Sequence, residues 1–177
     1  AASMKSKIYI RNIEKAHFKS ITSIYEDAGC EIRETHGTIV ISNDGRLNAI
    51  EKVTTQPYPG FPTDMQAQFM ASMAVADGIT IVEETVFDSR FKHVPELQKM
   101  GANITTIGRV AVVEGIEKLY GAEVESKDLR GGAALVIAAL GAEGTTKVNN
   151  IHHINRGYEK FVNKLQNLGV LITEVSD

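Results

Sequence analysis

The chain reads as α+β: three inverted α/β repeats in a pseudo-threefold arrangement, with buried helices inside and sheets outside. Three observations predict this. An apolar motif closed by glycine recurs as Tyr25-x-x-Ala28-Gly29-x-x-Ile32, Leu97-x-x-Met100-Gly101-x-x-Ile104 and Leu165-x-x-Leu168-Gly169-x-x-Ile172, 72 and then 68 residues apart. That period is too long for a common solenoid. Ala76-Asp77-Gly78 is matched in the same way by Ala142-Glu143-Gly144. Finally, the run GGAALVIAAL at 131–140 is apolar almost all round, and a helix of that kind is buried on most sides. Each unit is strand, helix, strand, helix, strand, strand. One domain over residues 1–177 then divides into repeats at about 5–48, 49–118 and 119–177. The first copy lacks its leading strand and helix and the last lacks its final strand, as in a segment of a longer chain.

Taken in order, residues 6–13 alternate and read as a strand. Phe18, Ile21, Ile24 and Tyr25 recur at helical spacing, and Gly29 closes that helix. Two strands, 31–35 and 38–42, turn at His36-Gly37. Residues 49–55 form a strand before a proline-rich loop. The next helix sets Met65, Phe69 and Met73 on one face and stops at Gly78. The β-rich run 79–86 follows, with Glu83 and Glu84 as a solvated strand edge and Arg90 in the loop beyond. Pro95 suits the first turn of a helix carrying Val94, Leu97 and Met100. Strands at 103–106 and 109–114 turn at Gly108, and 121–126 is another strand. After the apolar helix, 145–154 is strand-like. Tyr158, Phe161, Val162, Leu165 and Leu168 then make an amphipathic helix face, and 171–175 is a last strand.

With 177 residues, 43% hydrophobic and 23% charged, the chain has the composition of a globular domain with a sizeable core. Its net charge of −3 supplies no global field for nucleic acid or an anionic membrane, so anionic ligands must meet local arginines. No apolar run reaches membrane-spanning length, and no signal peptide is visible. The single cysteine, Cys30, excludes an internal disulfide framework and fits a cytoplasmic protein with a core thiol. His93, His152 and His153 raise a metal reading, but adjacent histidines on a strand face opposite ways, so no metal is expected.

The stretch PYPGFPTDMQAQ at 57–68 carries three of the four prolines. Proline fixes its own φ and restricts the residue before it, so Thr63 and Asp64 sit on a stiff lead-in to a helix. Local pattern makes either of them an N-cap. A carboxylate on such a loop is also placed accurately enough for catalysis.

Four stretches, PYPGFPTDMQAQ (57–68), ETVFDSRFKHVPELQKMGANI (84–104), DLRGGAALVIAAL (128–140) and HHINRGYE (152–159), closely resemble the UDP-N-acetylglucosamine enolpyruvyl transferase family, in its order and spacing. The likeness runs from about Lys5 to the C-terminus. It implies most of one of the family's two similar domains, without the domain that bears the general-acid loop; Cys30 matches no catalytic loop. The implied reaction moves the enolpyruvyl group of phosphoenolpyruvate onto the 3-hydroxyl of UDP-N-acetylglucosamine, opens peptidoglycan synthesis, and uses no metal or cofactor. It needs a base at the hydroxyl, an acid at the methylene carbon and cations around carboxylate and phosphate.

By the same resemblance Asp64 is the base. Arg156 grips phosphoenolpyruvate with its guanidinium fork, and Arg90 faces the cleft. Val86 binds the sugar nucleotide through its backbone, with Thr63 and Phe87 as weaker neighbours. Asp128 and Arg130 lie by the cleft, where the acid meets a lysine of the other domain; read locally, they are helix-terminus charges. Alone, the segment is expected to be inactive, and its uncovered surfaces allow dimerisation. Two alternatives stay open: a stand-alone non-catalytic binding module, and a relative of 5-enolpyruvylshikimate-3-phosphate synthase, against which the PGFPTDMQ loop argues.

Overall fold

The computed structural model describes residues 1–175. It opens with β1 (Lys7–Arg11), α1 (Lys19–Asp27), β2 (Glu31–Thr35) and β3 (Thr38–Ser42), with β3 antiparallel between the other two strands. Then come β4 (Lys52–Thr54), α2 (Gln66–Met73), β5 (Ile79–Glu83), α3 (Val94–Lys99), β6 (Asn103–Ile107) and β7 (Val110–Glu114). They form a four-stranded sheet in the order β4-β5-β7-β6, with the β4–β5 pair parallel. The last elements are β8 (Glu123–Glu125), α4 (Leu129–Gly141), β9 (Lys147–Asn149), α5 (His152–Asn155) and α6 (Phe161–Asn167), with β8 and β9 parallel.

The recurring glycine motif has one geometry in all three places. Gly29, Gly101 and Gly169 take positive φ values of 100°, 96° and 88°. Each donates its N–H to a carbonyl three residues back (Glu26, Gln98, Leu-flanked Gln166) at 2.9 Å. The next residue in each case donates to a carbonyl five back: Cys30 to Tyr25, Ala102 to Leu97 and Val170 to Leu165, at 2.8, 3.1 and 3.1 Å. This is the Schellman closure, which needs a left-handed residue and so favours glycine. The other matched pair also shares a geometry: Asp77 N–H donates to Leu47 and Glu143 N–H to Leu119, at 2.7 and 2.8 Å.

Helices α2 and α4 pack against one another at the centre. Every residue of α2 is buried, not the Met65–Phe69–Met73 face alone. Some of its polar atoms find partners inside: Gln66 Nε2 meets Met70 Sδ at 3.1 Å, and Ser72 Oγ lies 3.1 Å from the Tyr25 hydroxyl, whereas the Gln66 and Gln68 side-chain oxygens have none among the described residues. The start of α4 is small, and it has no room to grow. A Cβ on Gly132 would fall 2.2 Å from Ser126 Oγ and 2.7 Å from Ile154 Cγ1. Cys30 is buried, as its sequence setting suggests. Beside α1, an apolar groove of about 460 Å³ runs past Ile10, Ile21, Tyr25, Met65, Ile137 and Leu140. No helix among the described residues is long and apolar enough to cross a membrane.

Three sequence expectations change. The run 145–154 is not one strand: β9 stops at Asn149, because Asn150 turns left-handed (φ 57°), and His152 and His153 lie in α5. Residues 171–175 are irregular. No neighbouring strand lies beside them among the described residues, and the Ile172 carbonyl accepts from the Gln166 side chain instead. Tyr158 precedes α6 rather than joining its face, and its hydroxyl points elsewhere.

Candidate active site

The proline loop folds tightly. Gln56 N–H donates to the Phe61 carbonyl and Gly60 N–H to that of Pro57, both at 2.8 Å, and the Tyr58–Pro59 peptide is cis. Phe61 is buried edge-on against Phe69 of α2, which anchors the loop to the core. Beyond it, a single 3-10 turn (Thr63–Met65) precedes α2.

Neither Thr63 nor Asp64 caps a helix, since no side chain caps the turn or α2. The Asp64 carboxylate turns instead to two arginines from later in the chain. Oδ1 accepts from Arg90 Nη2 at 2.9 Å and Oδ2 from Arg130 Nη2 at 2.5 Å. The Arg130 hydrogen bond, reinforced by the charges of both arginines against a burial effect of opposite sign, holds this carboxyl below the usual aspartate range. The Arg130 guanidinium is pushed up in turn, first by that same bond.

Arg130 is itself braced. Its Nη1 donates to the Tyr158 hydroxyl at 2.9 Å, which also accepts from Gln68 Nε2 at 3.2 Å, and the guanidinium lies 5.4 Å from the Tyr158 ring centroid. Arg90 stacks on Phe87 at 5.2 Å. Asp128 is the N-cap of α4: its Oδ1 accepts from the N–H groups of Arg130 and Gly131 at 3.0 and 2.8 Å. It thereby fixes the backbone from which Arg130 projects. His93, buried beneath Gly131, has neither ring nitrogen within hydrogen-bond geometry of a partner among the described residues. Burial, opposed by the charge of Asp128, pushes its imidazole down to about 4, so it is neutral at physiological pH.

The structure therefore brings Asp64, Arg90 and Arg130 together. Arg156, at the C-terminal end of α5, is exposed and makes no ion pair with a described residue. It lies two residues before Tyr158 and does not join the Asp64 cluster. Val86 and Phe87 are exposed on the loop after β5.

Two buried carboxylates overturn the solvated-edge expectation or were not foreseen. Glu84 follows an interior strand, not an edge, and is 1% exposed. Its Oε1 accepts from Thr55 Oγ1 (2.9 Å) and the N–H groups of Val86 (2.8 Å) and Phe87 (3.0 Å), and its Oε2 from Thr63 Oγ1 (2.9 Å). Glu83 is half-buried and pairs with Lys52 at 2.7 Å. Glu96, in α3, accepts from Lys99 Nζ (2.7 Å), Lys127 Nζ (2.8 Å) and Glu125 N–H (3.0 Å). The local signal for Glu96 was its place between the apolar Val94 and Leu97 in the first turn of α3.

A carboxylate bracketed by arginines beside a pair of buried helices is set on a fold seen in enolpyruvyl transferases. The crystal structure of the enolpyruvyl transferase NikO from Streptomyces tendae superposes with a TM-score of 0.83 at 27% identity, over 92% of this chain and 38% of that one. EPSP synthase from Acinetobacter baumannii shares the fold at 18% identity, with a TM-score of 0.74 over 99% of this chain and 45% of that one. The EPSP synthase (3-phosphoshikimate 1-carboxyvinyltransferase) family profile matches residues 1–165, and the chain belongs to that family.

Within it, the chain is 45% identical over 175 residues to UDP-N-acetylglucosamine 1-carboxyvinyltransferase 2 of Caldanaerobacter subterraneus subsp. tengcongensis, covering 99% of this chain. It is 46% identical over 177 residues to UDP-N-acetylglucosamine 1-carboxyvinyltransferase of Finegoldia magna. In both comparisons it spans 42% of the relative's length.

Proposed function

We propose that this chain supplies the base-bearing part of a site that transfers the enolpyruvyl group of phosphoenolpyruvate to the 3-hydroxyl of UDP-N-acetylglucosamine. The observation that carries the reading is the Asp64 carboxylate held between Arg90 and Arg130. Asp64 takes the hydroxyl proton as the oxygen attacks C2 of phosphoenolpyruvate, while an acid outside this chain protonates C3. The tetrahedral adduct then loses a C3 proton and phosphate, which leaves the enol ether. Arg156, exposed and without an ion pair among the described residues, suits the phosphoenolpyruvate anion. Arg90, Arg130, Thr63, Asp128 and the Val86 backbone line the acceptor side.

Paired with both arginines, Asp64 is a poor base, because two guanidinium groups stabilise its charged form. An anionic substrate that draws off either arginine raises the Asp64 carboxyl toward its ordinary range, so basicity rises as the site fills. In this reading residues 1–177 make one domain of three repeats (about 5–48, 49–118 and 119–177) and turn nothing over alone. A cytoplasmic setting suits such substrates. The apolar groove beside α1 supports self-association as a dimer, which sedimentation over rising concentration reads directly.

The test uses the longer protein that carries this segment and follows phosphate release from phosphoenolpyruvate. UDP-N-acetylglucosamine should support release and shikimate 3-phosphate should not. Asp64→Asn should slow it about 10²–10⁴-fold with acceptor binding retained, the span expected for loss of a general base. Full activity in Asp64→Asn, or turnover with shikimate 3-phosphate alone, refutes the reading.

A further inference from the structure

Glu84 occupies an unusual position relative to the Asp64–Arg90 ion pair. One of its oxygens accepts from Thr63, the residue before Asp64. The other accepts from the N–H groups of Val86 and Phe87, the latter three residues before Arg90. One buried carboxylate thus ties together the two segments that carry the ion pair. Its third segment is the end of β4, through Thr55.

The hydrogen-bond directions are fixed by the network. Thr55 Oγ1 already accepts the N–H of Thr85 at 2.9 Å, so its one proton goes to Glu84. Four donors converge on a side chain that, when ionised, only accepts, and no donor in the set competes with another. A carboxylate 1% exposed is tolerated only with such complete pairing. Without it, two backbone N–H groups and the Thr63 hydroxyl lose their only protein acceptor among the described residues, and the two loops lose their common anchor.

We infer that Glu84 is the positioning residue of this site: it sets the spacing between the Asp64 turn and the 86–90 loop, and so the geometry of the Asp64–Arg90 pair and of the acceptor-binding backbone at Val86. It touches no substrate itself. Its bearing on the acceptor rests on the reading of the site given above, whereas its bearing on the ion pair does not.

The experiment compares the wild-type chain with Glu84→Ala and Glu84→Gln by nuclear magnetic resonance. It follows amide exchange, the carboxyl titration of Asp64, and, in the longer protein that carries this segment, binding of UDP-N-acetylglucosamine. In Glu84→Ala the amides of Val86 and Phe87 should exchange about tenfold faster or more, as expected for loss of a buried acceptor, with the β5–β7 ladder unchanged. The Asp64 carboxyl should titrate closer to the ordinary aspartate range, and sugar-nucleotide affinity should fall about tenfold. Glu84→Gln keeps one carbonyl for the two N–H groups and should restore all three readouts. A purely structural role would speed exchange in no particular loop and would leave Asp64 unmoved. Wild-type titration of Asp64 in Glu84→Ala overturns the inference. Should Glu84→Ala fail to fold, Thr63→Val removes only one bond to the same carboxylate, and the same shift or its absence at Asp64 decides. A longer wild-type protein that ignores UDP-N-acetylglucosamine counts against the proposed function, while the Asp64 titration still judges Glu84.

Discussion

Replacing Glu96 by glutamine tests the other buried carboxylate, which joins α3, just beyond the Arg90 loop, to Lys127, just before the Asp128 cap. Glu96 is 2% exposed. Burial on its own would raise its carboxyl, but hydrogen bonds from Lys127, Lys99 and the Glu125 N–H outweigh that and bring it from 4.5 to about 2. A drop of that size corresponds to about 3 kcal/mol of linkage between ionisation and folding. The two lysine side chains are 48% and 41% exposed, so solvent screening trims this to about 2 kcal/mol. A carboxyl depressed by folding stabilises fully above its unfolded pKa, and that contribution is lost as pH falls toward the folded one. Urea melts near neutral pH should therefore find Glu96→Gln less stable by about 2 kcal/mol with an unchanged m-value. The gap to wild type should shrink below about pH 4.5, with about half or more gone by pH 3. Equal stability near neutral pH would refute the reasoning. So would a gap that does not change with pH, since that would trace the loss to packing and not to charge.

Two further substitutions probe the frame of the site. Tyr158→Phe keeps the ring beside Arg130 but removes the hydroxyl that accepts from Arg130 and Gln68. It should cost about 1 kcal/mol in denaturant melts, with a perturbed Asp64 titration as the specific sign; an unmoved Asp64 would show that Arg130 needs no brace. Gly132→Ala places a Cβ 2.2 Å from Ser126 Oγ and should destabilise by about 1–3 kcal/mol, read as a lower thermal midpoint. An unchanged midpoint would mean that α4 shifts freely against β8.

Local patterns carried much of the fold. The spacing of Ile21, Ile24 and Tyr25 marked α1, and the recurring glycines marked helix ends because a left-handed closure admits few other residues. Pattern failed where partners lie far along the chain. Glu84 takes its donors from Thr55 and Thr63, 29 and 21 residues away, and nothing in its neighbours distinguishes it from the half-buried Glu83. Asp64 read locally as a cap because a short polar residue at a helix entrance does cap when nothing stronger competes; here two guanidinium groups do. Placing Asp64, Arg90 and Arg130 at one cleft came from resemblance, whereas the local reading of Asp128 as a helix-terminus charge agrees with its place as the α4 cap. The 145–154 run misled because alternation persists through Asn149 while Asn150 breaks the backbone direction.

The start of α4 has a consequence on the scale of descent rather than of a single molecule. Gly131, Gly132, Ala133 and Ala134 are already among the smallest residues, and all four are buried. Such a segment has little left to trim, so a gain of bulk at Gly132 in a lineage must be preceded or matched by a loss at Ser126 or Ile154. Among descendants of one ancestor these positions should therefore change together or not at all, whereas exposed positions such as Leu168 and Leu171 drift singly.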